Sequence, residues 1–290
     1  MNMDRRTMLS ETAAGTAAAV LCGSAVGKSP DPSSHRIIDS NVSLFQWPFR
    51  HLPLDEPISL VAQLKFLGIA QAWAGSFEAL LHRDIAGVNE RLVVACQDHG
   101  AGRLIPIGSV NPMLPDWRED LRRCREVYRT PGIRLHPNYH GYALNDPVFE
   151  RLLRGATEIG LFVQLAATME DMRTQHPLVQ VKDVDLRPLP EIIARIPGAR
   201  IQLLNLRPRT TELISLAKVK GIHFDVSRTD DTDGITRLIR AMPRGRVLFG
   251  SHAPFLIQQA ALIRTAEGKL NENETRDLLA RNAEKFIEPV

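Results

Sequence analysis

The sequence predicts an α/β protein built as a single-domain (β/α)8 barrel. Three observations carry that expectation. From Ile37 onward, short β-branched runs alternate with amphipathic helical segments until eight such units are complete. A chain of 290 residues is long enough for one barrel of this size. Polar residues of chemical interest gather where the runs end, while the opposite ends hold few besides His99. An open doubly wound sheet is the rival arrangement, but no GxGxxG follows the first run.

The elements follow in order. Residues 37–41 (IIDSN) are the first expected strand, and 58–66 the first helix. A strand over 69–74 and a helix over about 85–96 lead to a third strand at 104–110. The helix over 117–128 has its charges on one side. The fourth strand is 132–136, GIRLH, and Pro137 ends it because proline has no N–H to donate. Strand side chains alternate faces, so Arg134 and His136 point one way and Ile133 and Leu135 the other. A helix over 147–159, with Asp146 as N-cap, leads to strand 161–166. A longer polar, proline-punctuated connection fills 168–186. Strands at 201–205, 222–226 and 247–252 then alternate with helices at 189–196, 211–218 and 234–242. Helices over 255–267 and 272–286 finish the chain.

Composition narrows the partners. Hydrophobic residues make up 44% and charged residues 24%, ordinary globular usage, and the net charge is only +3. That excludes a strongly basic surface for nucleic acid or an anionic membrane. The N-terminus reads differently. Arg5-Arg6 precede Met8-Leu9 and a weakly apolar, alanine-rich run, a pattern that resembles a twin-arginine export signal. Residues 1–28 are therefore expected to be a signal peptide and 35–290 the barrel domain, exported to a bacterial periplasm with no membrane attachment after cleavage. A homo-oligomer is compatible with the sequence. Cys96 and Cys124 remain beyond the signal, and one disulfide or two buried thiols fit equally well.

The strand ends supply the candidate site. Asp39 and Asn41 come from the first, Arg134, His136 and His140 from the fourth, and Arg173 and His176 from the loop after the fifth. Asn205 and Arg207 follow the sixth, Asp225 and Arg228 the seventh, and His252 the eighth. Trp47-Pro48-Phe49 reads as a lid or plug, and His223 as a core histidine lower in the barrel.

Taken together these ends resemble the amidohydrolase superfamily, in its amidohydrolase-related branch of lactone hydrolases and aromatic-acid decarboxylases. The resemblance spans about 37–287. Ile38-Asp39-x-Asn41-x-Ser43 stands where the family has Asp-x-His-x-His. Gly132-Ile133-Arg134-Leu135-His136-Pro137 matches Gly-Ile-Lys-Leu-His-Pro, and Phe249-Gly250-Ser251-His252-Ala253-Pro254 matches Phe-Gly-Ser-Asp-x-Pro. The resemblance implies one or two divalent metals, yet the ligand positions hold Asn41, Ser43, Ala166, Asn205 and His252. An ordinary zinc site needs three N, S or carboxylate donors.

The expectation is hydrolysis of a small, anionic carbonyl compound, a lactone, ester or amide. His252, His136, Arg134 and Asp39 would be catalytic. Arg173, His176, Asn41, Asn205 and Arg207 would bind the substrate. Two chemistries serve this hydrolase: a relocated divalent metal on His136, His140, His176 and His252, zinc first, or metal-free acid–base work by histidine and arginine. A non-catalytic protein binding a small acid is the alternative, and decarboxylation the second alternative.

Overall fold

Eight parallel strands close into a barrel wrapped by helices. The computed structural model describes residues 35–207 and 210–288, the side chains of 210–212 excepted. The expected export signal at 1–28 lies outside the described residues. The strands are β1 (Ile37–Leu44), β2 (Ile69–Ser76), β3 in two pieces (Leu104–Pro106 and Gly108–Ser109), β4 (Gly132–Leu135), β5 (Phe162–Ala166), β6 (Ile201–Leu204), β7 (Ile222–Asp225) and β8 (Val247–Leu248). Each pairs in parallel with its neighbour. The two pieces of β3 serve different neighbours, β2 and β4, and Pro106 at the break has no N–H for the ladder. The ring closes between β8 and β1, where Ser40 N–H donates to Phe249 O and His252 N–H to Asn41 O, both at 2.9 Å.

The helices are α1 (Pro57–Phe66), α2 (Ile85–Gly100), α3 (Trp117–Glu126), α4 (Pro147–Glu158), α5 (Leu189–Ala194), α6 (Thr210–Ala217), α7 (Gly234–Ala241) and α8 (Gln258–Glu267). The last, α9, begins at Glu272–Arg276, passes a π-helical turn at Asp277–Arg281 and ends as Asn282–Ile287. Their starts follow local chemistry. Asp84 accepts from Gly87 N–H at 2.9 Å before α2, and Asn271 forms a reciprocal capping box with Glu274 before α9. Among the described residues no helix is long and apolar enough to cross a membrane.

The interior is layered. At the bottom, Ile38, Trp73, Ile107, Phe162 and Leu248 meet Phe286 of α9, which closes that end. The Phe286 ring lies 4.9 Å from Phe162 and 4.5 Å from His223. A polar layer comes next, where Ser40, Arg134, Gln164 and Gln202 are hydrogen-bonded to one another. The outer face of the strands packs on the helices through residues such as Leu64, Leu92, Phe149 and Leu203.

Several expectations change. β1 runs to Leu44 rather than stopping at Asn41, because a bulge between Asp39 and Val42 re-aims its side chains. A one-turn helix, Pro137–His140, follows β4; proline's fixed φ suits its first position. α8 starts at Gln258, three residues later than expected. Cys96 and Cys124 are two buried free thiols, each with its pKa pushed up to about 12 by burial.

Candidate functional site

The polar layer decides the fate of Arg134. This side chain is only 2% exposed. Its Nε donates to Gln164 Oε1 at 2.9 Å, Nη1 to Val42 O at 2.9 Å and Ser43 Oγ at 3.1 Å, and Nη2 to Trp73 O at 3.3 Å. Gly75 makes room for it: a Cβ there would stand 2.6 Å from Nη1. The donor chain continues from Gln164 Nε2 to Gln202 Oε1 at 2.8 Å, and from Gln202 Nε2 to Ser40 Oγ at 2.7 Å. Burial lowers the guanidinium pKa to about 10, with Asp225 and Asp39 opposing the shift. Arg134 is thus a strut of the barrel interior, which corrects its expected role at the site.

Asp39 is equally internal. It accepts from Ser251 N–H at 2.9 Å, Asn41 N–H at 3.1 Å and Gln258 Nε2 at 3.3 Å, and so fixes the turn after β8. Burial raises its pKa. Asn41 and Asn205 do not face a ligand either. Asn41 Nδ2 donates to Asn205 Oδ1 at 2.7 Å and to Asp225 Oδ2 at 2.6 Å. Asn205 is held further by Thr168 O and Ser227 Oγ.

The loop after β5 stands apart. Arg173 is 88% exposed and paired with Asp171, which also pairs with Arg207. His176 is exposed, stacks on Phe49 at 5.8 Å and accepts from Leu178 N–H. Arg173 and Arg207 therefore share a surface ion-pair cluster on Asp171, and His176 is exposed beside Phe49. The connection divides: Met169 and Glu170 at its start are buried beside the mouth, while Met172, Arg173 and His176 stand out at the surface. His136, His140, His176 and His252 do not make a metal site: among the described residues, no three His, Cys, Asp or Glu side chains are arranged to hold a metal ion.

Three histidines do come together above the polar layer. The rings of His136 and His140 are 6.0 Å apart, and burial, together with the proximity of His140, Arg134 and His252, holds the His136 pKa well below the usual imidazole range. His252 takes a left-handed backbone, φ 60°, which is unusual for a non-glycine residue and marks a constrained strand end. Its Nε2 lies 2.7 Å from Met169 O, and His140 Nε2 lies 2.9 Å from Ala79 O. A carbonyl can only accept, so both Nε2 atoms carry the proton and both Nδ1 atoms present a lone pair. Burial holds all three imidazoles neutral, with His252 lowered to about 3.

An aromatic roof covers them. Trp47 is 2% exposed and packs edge-on against Phe255 at 4.8 Å, Phe77 at 5.3 Å and Tyr139 at 6.2 Å. Phe255 in turn stacks on His252 at 5.0 Å. The plug reading of Trp47 is correct. Arg228 reaches the same place, donating through Nη2 to Met169 O at 3.0 Å, and its charge lowers the His252 pKa. Four buried polar atoms around this mouth have no hydrogen-bond partner: Trp47 Nε1, His136 Nδ1, His140 Nδ1 and Arg228 Nε. Its place in the loop after β7 put Arg228 among the strand ends, but only packing shows that it, and not Arg134, is the cation at the mouth.

The buried histidines set a stability prediction. His223, outside this mouth, is lowered to about 4 by burial. The unfolded chain takes up a proton below about 6.5 and the folded chain only near 4, so stability is full above pH 6.5 and falls as pH drops towards 4. Asp225, raised to about 6, works in the opposite direction. His223→Gln should flatten the stability–pH profile over that window by up to about 1.4 kcal/mol per pH unit, read by urea unfolding. Parallel wild-type and variant profiles would sink it.

The fold and these groups define an α/β-barrel protein with a buried polar site at its strand ends. A family model described as amidohydrolase matches residues 48–288, and the chain belongs to that family. Solved structures share the fold. A 5-carboxyvanillate decarboxylase from Novosphingobium aromaticivorans with bound manganese has a TM-score of 0.69 at 14% identity, over 88% of this chain and 97% of that one. A 2,6-dihydroxybenzoate decarboxylase from Rhizobium gives 0.69 at 13%, over 87% and 98%. A dihydroxybenzoic acid decarboxylase from Polaromonas sp. JS666, with manganese and 2-nitroresorcinol, gives 0.68 at 11%, over 87% and 97%. No curated protein sequence matches the chain.

Manganese in two of those neighbours poses a test for this chain, and its residues do not fit the ion. Asn41 turns hydrogens, not lone pairs, towards Asn205 and Asp225. Ala166 offers no donor, and the Ser43 hydroxyl is engaged by Arg134.

Proposed function

We propose that this amidohydrolase binds a small, flat, hydroxylated carboxylic acid at the mouth of its barrel and decarboxylates it without a metal. The observation that carries this reading is the set of four unpartnered polar atoms beneath the aromatic roof. Arg228 Nε and Trp47 Nε1 are donors suited to a carboxylate. The bare Nδ1 of His140 is an acceptor suited to a hydroxyl. The aromatic rings suit the flat faces of a cyclic acid. Solved neighbours that act on hydroxylated aromatic acids support the same substrate class.

Hydrolysis is less well served. It needs an activated water, whereas Asp39 and Asp225 are saturated by hydrogen bonds and His252 is a weak base at about 3. Decarboxylation needs a proton delivered to the ring carbon, cleavage of the carbon–carboxylate bond and departure of carbon dioxide. An incoming carboxylate offsets the Arg228 charge that depresses His252, so acid binding favours protonation of that imidazole. One observation favours a second reading, a non-catalytic acid binder: all three imidazoles are neutral in the free protein.

The test is titration of the full chain with benzoate and with mono- and dihydroxybenzoates in EDTA, with carbon dioxide release followed in parallel. Hydroxybenzoates are expected to bind about fivefold more tightly than benzoate, since one further hydrogen bond contributes about 1 kcal/mol. Binding without release selects the second reading. Failure of every acid to bind overturns both. Export to the periplasm belongs to the same proposal, and cell fractionation tests it.

Access to the mouth depends on a latch. Arg50 Nη1 donates to Glu170 Oε2 at 2.5 Å and lies 5.4 Å over the Phe255 ring, tying the loop after β1 to the loop after β5. Arg50→Ala should speed ligand release roughly three- to tenfold in stopped-flow experiments, the range of a partly buried ion pair. An unchanged off-rate would show that the latch does not gate the mouth.

A further inference from the structure

Where the family resemblance places metal ligands, this chain has side chains closed on one another. Asn41 on β1, Asn205 after β6 and Asp225 on β7 are distant in sequence and buried together. Both Nδ2 hydrogens of Asn41 are used, one on Asn205 Oδ1 at 2.7 Å and one on Asp225 Oδ2 at 2.6 Å. Reversing the amide would set its oxygen against two other acceptors, so the partners fix its orientation. Asp225 Oδ1 accepts from Asn205 N–H at 3.2 Å and Ser227 Oγ at 3.0 Å, and Asn205 Nδ2 donates to Thr168 O at 2.9 Å. None of these side chains has a buried polar atom left without a partner. Gly250 permits the close approach, since a Cβ there would come within 2.9 Å of Asp225 Cβ and 3.1 Å of Asn41 Cβ.

We propose that the Asn41 amide is a built-in replacement for the family's metal. Its two N–H groups cross-link β1 to the ends of β6 and β7, as a cation would through shared ligands. An amide nitrogen has no available lone pair, and its hydrogens repel a cation, so the side of Asn41 that faces Asn205 and Asp225 excludes the ion. The chain assembles and keeps its mouth in shape without metal. This stands independently of the acid-binding reading, because its test uses no substrate.

The full chain, dialysed against EDTA and then exposed to manganese or zinc, is examined by elemental analysis and thermal unfolding. Wild type should retain no stoichiometric metal and show no shift in midpoint with either ion. Asn41→Ala removes both cross-links and should lower the midpoint by several degrees, equally with and without metal. Asn41→Asp replaces the donor with a carboxylate beside Asp225. It should be destabilised in EDTA and recovered by the cation, or be obtained folded only in its presence. Near-stoichiometric metal in wild type, a saturable rise of its midpoint with manganese or zinc, or an Asn41→Ala variant as stable as wild type would each overturn the proposal.

Discussion

Arg134→Ala is expected to cost about 3–5 kcal/mol of folding free energy, with thermal unfolding lowered by roughly 10 °C. The guanidinium meets four acceptors in the barrel interior, at Gln164, Val42, Ser43 and Trp73. Truncation leaves the Gln164, Val42 and Trp73 oxygens short of a donor, at about 1–3 kcal/mol each, and opens a cavity among them. Relief of the buried charge and entry of water return part of that sum. Arg134→Lys keeps the cation but not the planar fork, and should fall between wild type and Arg134→Ala. Urea unfolding measures both. A loss below 1 kcal/mol from Arg134→Ala, accompanied by weaker acid binding, would restore this residue as an anion anchor and remove it as a strut.

Arg228→Gln should show the reverse pattern. Its Nε is buried without a partner and its Nη2 holds Met169 O, the carbonyl that also orients His252. A charge-assisted contact to a carboxylate is worth about 1.5–3 kcal/mol, so acid affinity should fall roughly 10- to 100-fold. Stability should hardly change, because burying an unpaired guanidinium is itself costly. Calorimetric titration with a hydroxybenzoate at constant pH decides it. Equal affinity in wild type and variant would place the carboxylate elsewhere. A change in stability as large as the change in affinity would make Arg228 a structural residue.

These two arginines show where the sequence was legible. Arg134 lies near the end of β4 and Arg228 in the loop after β7, and chain order alone puts both at the same face. The eight-unit rhythm placed all eight strands in order, since burial of one face is written locally in the order of apolar and polar residues, but it missed the one-turn helix Pro137–His140 and ran β8 to 252 where it stops at Leu248. The family resemblance, in turn, exposed the exchange of ligands at Asn41, Ser43, Ala166, Asn205 and His252. Depth along the barrel axis is not written locally. The bulge in β1 turns Asn41 towards Asn205 and Asp225, and Gly75 opens the space that draws Arg134 inward. The set of four candidate metal histidines misled for the same reason: His176 lies on a connection that turns back to the surface, while His136, His140 and His252 meet beneath Trp47.

By itself, then, the sequence determined the barrel, its family and the loss of the usual ligands, because periodicity and residue identity are properties of short segments. Tertiary structure alone decided which polar groups are struts and which remain unpartnered at the mouth. That division depends on hydrogen-bond partners more than a hundred residues apart, such as Asn41 with Asn205 and Asp225. Such pairs exist only once the last strand has closed against the first.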